Sequence, residues 1–270
     1  MKNKNNKESQ IPSANQKEFL RKYYKEKNSI RLWRSFLFLA FLLLWEGLSF
    51  FHVIDSFFFS SPLQIFSLFF KMCKNFEIFK HIGITLTETF LSFFAVTLLS
   101  VIVAISLFTW PKAAKILEPA LVVLNSLPKS ALAPLIIVWL GTGIKTIIIA
   151  GISVAVFGSI INLYAGFLQV EKEKIKLIIT LGGGRKDVLF KLIVPSCTPL
   201  ILSNMKVNIG LCLVGVIIGE FLAAKEGLGY LIIYGSQIFQ LDLLILSITI
   251  LCIIANLFYK TIQYTENKLL

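Results

Sequence analysis

Few groups in this chain are placed to perform chemistry. The only histidines are His52 and His81, and both fall at the outer edges of apolar segments. Cys73, Cys197, Cys212 and Cys252 form no Cys-x-x-Cys pair and read as small buried hydrophobes, not as disulfides or metal ligands. Neither set supplies a nucleophile with an adjacent base, which an intramembrane enzyme needs, or a ligand cluster for a haem or metal. Gly141-Thr-Gly-Ile-Lys-Thr146 has the outline of a phosphate loop. It fails because Ile144 stands where a glycine must precede Lys145. What remains is two carboxylates late in apolar runs, Glu46 and Glu220; a proline-rich polar group, Asn125, Ser126, Pro128, Lys129 and Pro134; and one long segment, Gln169 to Pro199. An ionisable group inside a membrane is a functional candidate by default.

The 169–199 segment lies between two apolar blocks that read as membrane spans, so it must sit outside the lipid. It is not a loose linker. Ile175, Leu177, Ile178, Ile179 and Leu181 form one apolar face, and Leu189, Leu192, Ile193 and Val194 form a second. Gly182, Gly183 and Gly184 interrupt it, because glycine costs helix stability and accepts unusual backbone angles. The expected pattern is helix, hinge, helix, and a stop at Pro195. Such a pair docks onto something. With no other sizeable soluble part in view, the partner is a separate water-soluble subunit.

The elements that position these residues are membrane helices. The 270 residues are 56% hydrophobic, with mean hydropathy +0.77, and several apolar runs approach the roughly 20 residues that cross a bilayer. A transmembrane barrel would alternate, and these runs do not. The expectation is an all-α polytopic membrane protein: a basic, partly disordered tail over 1–31, then a membrane domain over 32–270. Six spans are expected at about 33–53, 84–108, 116–141, 146–167, 200–222 and 243–262, from run length and flanking polar residues. Trp33 fits an interfacial belt. Leu63 to Phe79 reads as an amphipathic helix along the outer surface, and 230–239 as another short helix. Pro119, Pro128 and Pro134 break the third span, which lipid does not tolerate but a protein-lined cavity does. Asn125, Ser126 and Ser130 are therefore candidates to line a path, with a packed kink as the bland alternative. Gly215 and Gly219 form a GxxxG pair that permits close helix contact.

The net charge of +12 reads as membrane topology, not as a nucleic-acid surface. On the six-span scheme, 20 of the 27 basic residues fall on the side of the termini and of the 169–199 segment, and only 5 on the other. That asymmetry predicts cytoplasmic termini and a cytoplasmic segment.

With these residues in place, the chain resembles the permease subunits of ABC importers, specifically the nitrate/sulfonate/taurine group. Leu181-Gly182-Gly183 is similar to the family's Leu-Gly-Ala, and Pro195 falls thirteen residues after Gly182, as in the family's cytoplasmic loop. Ile193-Val194-Pro195 resembles the loop's ending. Ser61-Pro62, Glu118-Pro119, Leu127-Pro128 through Ala133-Pro134-Leu135, Trp139-Leu140-Gly141, and Gly219-Glu220 with Gly227-Leu228-Gly229 resemble further family motifs. One departure stands out: Lys176, Leu177 and Ile178 occupy the family's Glu-Ala-Ala positions.

The resemblance implies a type I ABC importer permease fold with a cytoplasmic coupling helix, in a bacterial plasma membrane, working as a homodimer. A separate ATPase would hydrolyse ATP and a solute-binding protein would deliver the solute. The chain itself would be no enzyme and carry no cofactor or metal. The coupling loop would use Lys176, Gly182, Gly183, Gly184, Arg185, Asp187 and Pro195. The path or gate would use Asn125, Ser126, Pro128, Lys129, Pro134 and Glu220, with Lys129 available to an anion. The expected solute is a small anion such as a sulfonate, taurine or nitrate. Alternatives are a thiamine-precursor-like or other small organic solute, or an ATPase-independent carrier; the last would need no structured docking segment.

Overall fold

A computed structural model describes residues 14–51, 53–55 and 59–269. The chain divides into two compact units, Met1–Leu63 and Gln64–Leu270. The first thirteen residues of the expected tail, and His52, lie outside the described residues.

The first unit is dominated by α1 (Ala14–Phe50), one unbroken helix of 37 residues. A partly disordered tail over 1–31 and a separate span starting near 33 were expected. The sequence offers no reason to stop between them: 14–46 contain no proline or glycine, and Lys, Arg, Glu and Leu all favour helix. Glu46 has a structural task, since its Oε2 accepts the Leu63 N–H at 3.1 Å. This satisfies one of the orphan donors at the start of α2 (Pro62–Lys74).

The second unit is built on three long helices: α3 (Glu77–Thr109), α6 (Ile144–Leu168) and α9 (Thr198–Ala223). α9 packs on α6, and α6 on α3. The GxxxG pair explains how closely. A Cβ on Gly215 would lie 2.8 Å from Gly151 Cα and 2.9 Å from the Ala150 carbonyl; one on Gly219 would lie 3.0 Å from Ile147 Cα. Small residues on both helices let the backbones meet. Across the same interface Ser159 Oγ accepts from Asn204 at 2.6 Å and Asn208 at 2.9 Å, and Asn162 donates to Asn204 at 3.1 Å. α2 lays Ile65, Leu68, Phe69 and Met72 on the main core, with α10 (Leu228–Gln237) and α11 (Leu241–Leu269) around it. Lys206 on α9 pairs with Glu266 on α11, both only 17% exposed, which is how a charge in a span is normally tolerated. Cys197 and Cys212 are buried as expected, but Cys252 is exposed on α11.

The third span is not one rod. α4 (Pro111–Ser126) and α5 (Lys129–Leu140) meet at 98°. Leu127 before Pro128 is extended, at φ −64° and ψ 136°, as crowding by the proline ring demands. Among the described residues five helices are long and apolar enough to cross a membrane, and a sixth crossing results if the bent pair is one span.

Candidate functional site

The 169–199 segment folds as a rigid knob. α7 (Lys172–Thr180) ends in a Schellman turn: Gly183 N–H donates to the Ile178 carbonyl at 2.9 Å and Gly182 N–H to the Ile179 carbonyl at 3.0 Å. Gly182 takes φ +84° to close it. Gly183 is needed for another reason, since a Cβ there would lie 2.6 Å from Ile178 Cγ2. Gly184 is under neither constraint, having an ordinary φ of −86° and only an ordinary contact, Asp187 Oδ2 at 3.8 Å, near an added Cβ.

The second arm, α8, runs through three pieces: Arg185–Asp187, Val188–Ile193 and Val194–Ser196. Asp187 starts it by accepting the Gly184 N–H at 2.9 Å and pairing with Lys191 at 2.7 Å. Those two contacts hold the Asp187 carboxyl below its ordinary range, the Lys191 hydrogen bond being the larger. The middle piece is wound as a wide π-turn. Pro195 has no N–H and would clash with a carbonyl four residues back, and a wider turn relieves both demands. The arm therefore does not stop at Pro195. The path continues through the kink at Cys197 into α9.

The knob is apolar on both sides. Val188, Leu189 and Ile193 are buried with Ala104, Leu163 and Phe167, and Ile175 and Ile178 pack against them. Leu177 (59%), Ile179 (57%), Leu181 (77%) and Phe190 (62%) face outward. Four large exposed apolar side chains on a tightly anchored turn are what a docking surface needs. Lys176, Arg185 and Lys186 are exposed around them. Arg185 and Lys186 also edge a cavity of about 330 Å³ whose floor is Phe108, Ile175, Val188 and Leu189. The structure thus brings Lys176, Gly182, Gly183, Gly184, Arg185 and Asp187 into one knob, with Pro195 at its root.

The other candidates divide into two places. At the α4–α5 bend, Lys129 donates to the carbonyls of Leu124 and, at 3.2 Å, Asn125. It lies 5.4 Å from the centre of the Phe157 ring. Its ammonium caps the C-terminal end of α4, where carbonyls have no helical partner. Ser126 is bonded back to the Val122 carbonyl at 2.9 Å. Asn125 closes on α6, where a Cβ at Gly158 would lie 3.1 Å from its Oδ1. Asn125, Ser126, Pro128, Ser130 and Pro134 are exposed.

Glu220 lies apart from that bend, at the far end of α9, and is fully buried. It accepts Thr85 Oγ1–H at 2.6 Å and Gly229 N–H at 2.5 Å, so it caps the start of α10. Leu228 N–H in turn donates to Thr85 Oγ1 at 2.8 Å. Sequence reading missed Glu88 on α3, which stands beside Glu220 and is 2% exposed. Its signal was available: a carboxylate a few residues inside an apolar run, one turn from Thr85.

A broken span in a helical membrane protein is a feature that many transporters use at their solute sites. Residues 96–265 match the family described as the binding-protein-dependent transport system inner membrane component, and the chain belongs to that family. It is the permease subunit of an ABC importer, a multi-pass plasma-membrane protein and not an enzyme; such permeases work with a separate ATPase and a solute-binding protein. It is 28% identical over 193 residues to the taurine transport system permease protein TauC of Escherichia coli (strain K12), covering 71% of this chain and 70% of that one. It is 26% identical over 233 residues to the formylaminopyrimidine transport permease protein ThiX of Halalkalibacterium halodurans, covering 86% and 92%. A solved structure of the MetNI methionine ABC transporter in inward facing conformations shares the fold. Its TM-score is 0.60 at 18% identity, over 72% of this chain and 94% of that one.

Proposed function

We propose that the 169–199 knob is the surface on which the ATPase docks, that it and both termini are cytoplasmic, and that two copies of this chain enclose the path of a small anionic or zwitterionic solute of the sulfonate class. The observation that carries the docking reading is the outward row Leu177, Ile179, Leu181 and Phe190 on a turn anchored to Leu163 and Phe167. A floppy loop would absorb a push from the partner; a packed one passes it on. The push enters at the knob, crosses the π-turn and Pro195, and reaches α9, which tilts against α6 along the glycine face. Alternating tilt of this kind opens the path to one side and then the other.

The asymmetry of Lys and Arg supports the orientation. The solute class is supported by the resemblance to TauC. A second reading, a pyrimidine related to thiamine precursors, is favoured by the greater share of ThiX that the alignment covers. Lys176, in place of the family's acidic residue, puts a cation on the docking face, which a carboxylate in the ATPase cleft would match.

The test is reconstitution of the chain with its ATPase and binding protein in lipid vesicles, with uptake of taurine, an alkanesulfonate, nitrate and formylaminopyrimidine compared. Uptake of a sulfonate that is lost on Leu181→Asp supports the reading. Uptake of the pyrimidine alone replaces the solute. Full uptake by Leu181→Asp removes the docking assignment. Lys176→Glu should uncouple transport and be rescued by charge reversal in the ATPase cleft.

A further inference from the structure

Glu88 stands on α3 one turn from Thr85, whose hydroxyl donates to Glu220 of α9, and the two carboxyl groups lie side by side. Both are buried. The two are not equivalent. Glu220 accepts from Thr85 and from the Gly229 amide, so it is held as the acceptor. Glu88 Oε2 has no hydrogen-bond partner among the described residues. Glu88 lines a cavity of about 440 Å³ together with Thr142, Gly143, Ile144 and Lys225. Two ionised carboxylates side by side and away from water repel, and one proton held between them removes that cost.

The surrounding charges leave the pair to itself. On α3, Lys80 is paired with Glu226 of the 224–227 segment, and His81 Nδ1 accepts the Gly227 N–H at 2.9 Å. Glu77 lies at the start of α3, and Lys145 at the start of α6 and Lys225 are exposed. Among the described residues no cation comes within ion-pair distance of either carboxyl. The fit leaves little slack: a Cβ at Gly227 would lie 2.5 Å from a Glu220 carboxyl oxygen, and one at Gly229 2.8 Å.

We propose that Glu88 and Glu220 form a binding site for one exchangeable proton, reached through the cavity at Glu88, and that this proton pins the segment carrying Gly227, Leu228 and Gly229 to α3. The chemistry is a single ionisation. The shared proton passes to water in the cavity and the pair goes from one negative charge to two. Two adjacent buried charges repel. Glu220 stays with its Thr85 and Gly229 donors and Glu88 swings into the cavity, releasing the α3–α9 contact. The proposal stands independently of the solute and of the docking knob.

The experiment is infrared spectroscopy of the full chain in lipid discs, titrated upward in pH beside its thermal unfolding. The expected result is a protonated-carboxyl band in the wild type that is absent in Glu88→Gln and fades as pH rises. The wild-type unfolding midpoint should fall over the same pH range while that of Glu88→Gln stays level, because the amide keeps the hydrogen bond and cannot ionise. Should Glu88→Gln not fold, Glu88→Leu fills a similar volume without a carboxyl and gives the same reading. A wild type with no such band, a band that survives in the variant, or parallel pH profiles would overturn the proposal.

Discussion

The three glycines of the knob look alike in sequence and should behave differently. Gly182 sits at φ +84° with nothing within 4 Å of an added Cβ, so alanine there meets only backbone strain. That strain is about 1–2 kcal/mol for an L-residue in the left-handed region. Gly183 meets Ile178 Cγ2 at 2.6 Å and the Ile178 carbonyl at 2.9 Å. The side chain can turn away but the carbonyl is fixed in the Schellman turn, so the cost is at least comparable. Gly184 has Asp187 Oδ2 at 3.8 Å and an ordinary φ; alanine there is neutral or slightly favourable through the unfolded chain. A loss of 1–2 kcal/mol lowers the ratio of the docking shape to its alternatives by about 5- to 30-fold, which is the largest effect it can have on binding. The assay is the dissociation constant of the ATPase from the permease in lipid discs, which should weaken by up to that factor for Gly182→Ala and Gly183→Ala and stay within about twofold for Gly184→Ala. If Gly184→Ala weakens binding as much as Gly182→Ala, the turn geometry is not what the partner reads. If neither does, the knob is not the dock.

Other outcomes follow from the same geometry. Gly215→Leu places a side chain where Gly151 Cα would be 2.8 Å from its first carbon and should destabilise the protein by about 1–3 kcal/mol or prevent folding; Gly210→Leu, with open space, should leave the unfolding midpoint in lipid discs close to wild type. Lys206→Met should cost about 2–4 kcal/mol by stranding Glu266 in a part-buried site, and the Lys206→Met/Glu266→Met pair should recover most of it; equal costs for single and double variants would show that the pair contributes through packing alone. Asp187 carries a folded pKa below its ordinary 3.8, so its contribution is fully present above that value and is lost as pH falls through the lower folded one. Hydrogen exchange at the Gly184 amide should accelerate in that acid range in the wild type, and Asp187→Asn should remove the pH dependence.

Much of the architecture was legible because hydropathy is a strong signal and length fixes what can span. The knob was legible for the same reason: polar residues, two apolar faces and a glycine run between spans have few solutions. What was not legible depends on contacts distant in sequence. The GxxxG pair is common in apolar helices, and only Gly151 opposite Gly215 makes it an interface. The prolines announce a break in the third span but not a 98° bend. Lys129 reads as a cation free for a solute, yet the bend exposes carbonyls that take it first. Pro195 reads as a stop because proline ends a regular helix, but a π-turn admits it without one. Glu88 was missed because a carboxylate near the start of an apolar run resembles an interfacial residue until Glu220 is placed beside it.

The two sites share one helix, and that constrains how they act. α9 begins at the root of the knob, just after Pro195 and Cys197, and Glu220 lies near its other end. Its 26 residues span about 39 Å at the usual rise, roughly the thickness of a bilayer with its headgroups. Along that length Gly215, Gly219 and the Asn204–Ser159–Asn208 hydrogen bonds hold it to α6. A rod moved at one end must move at the other unless it bends, and apart from Gly210, Gly215 and Gly219, with Pro199 confined to the first turn, its residues favour no kink. A tilt imposed at the knob therefore loads the Glu220 cap, where the Thr85, Gly229 and Glu88 contacts either travel with it or break. A cysteine pair joining the 224–227 segment to α3 should separate these cases: if cross-linking leaves ATP-driven transport intact, the cap travels with α9; if it stops transport while ATP hydrolysis continues, the cap must open in each cycle.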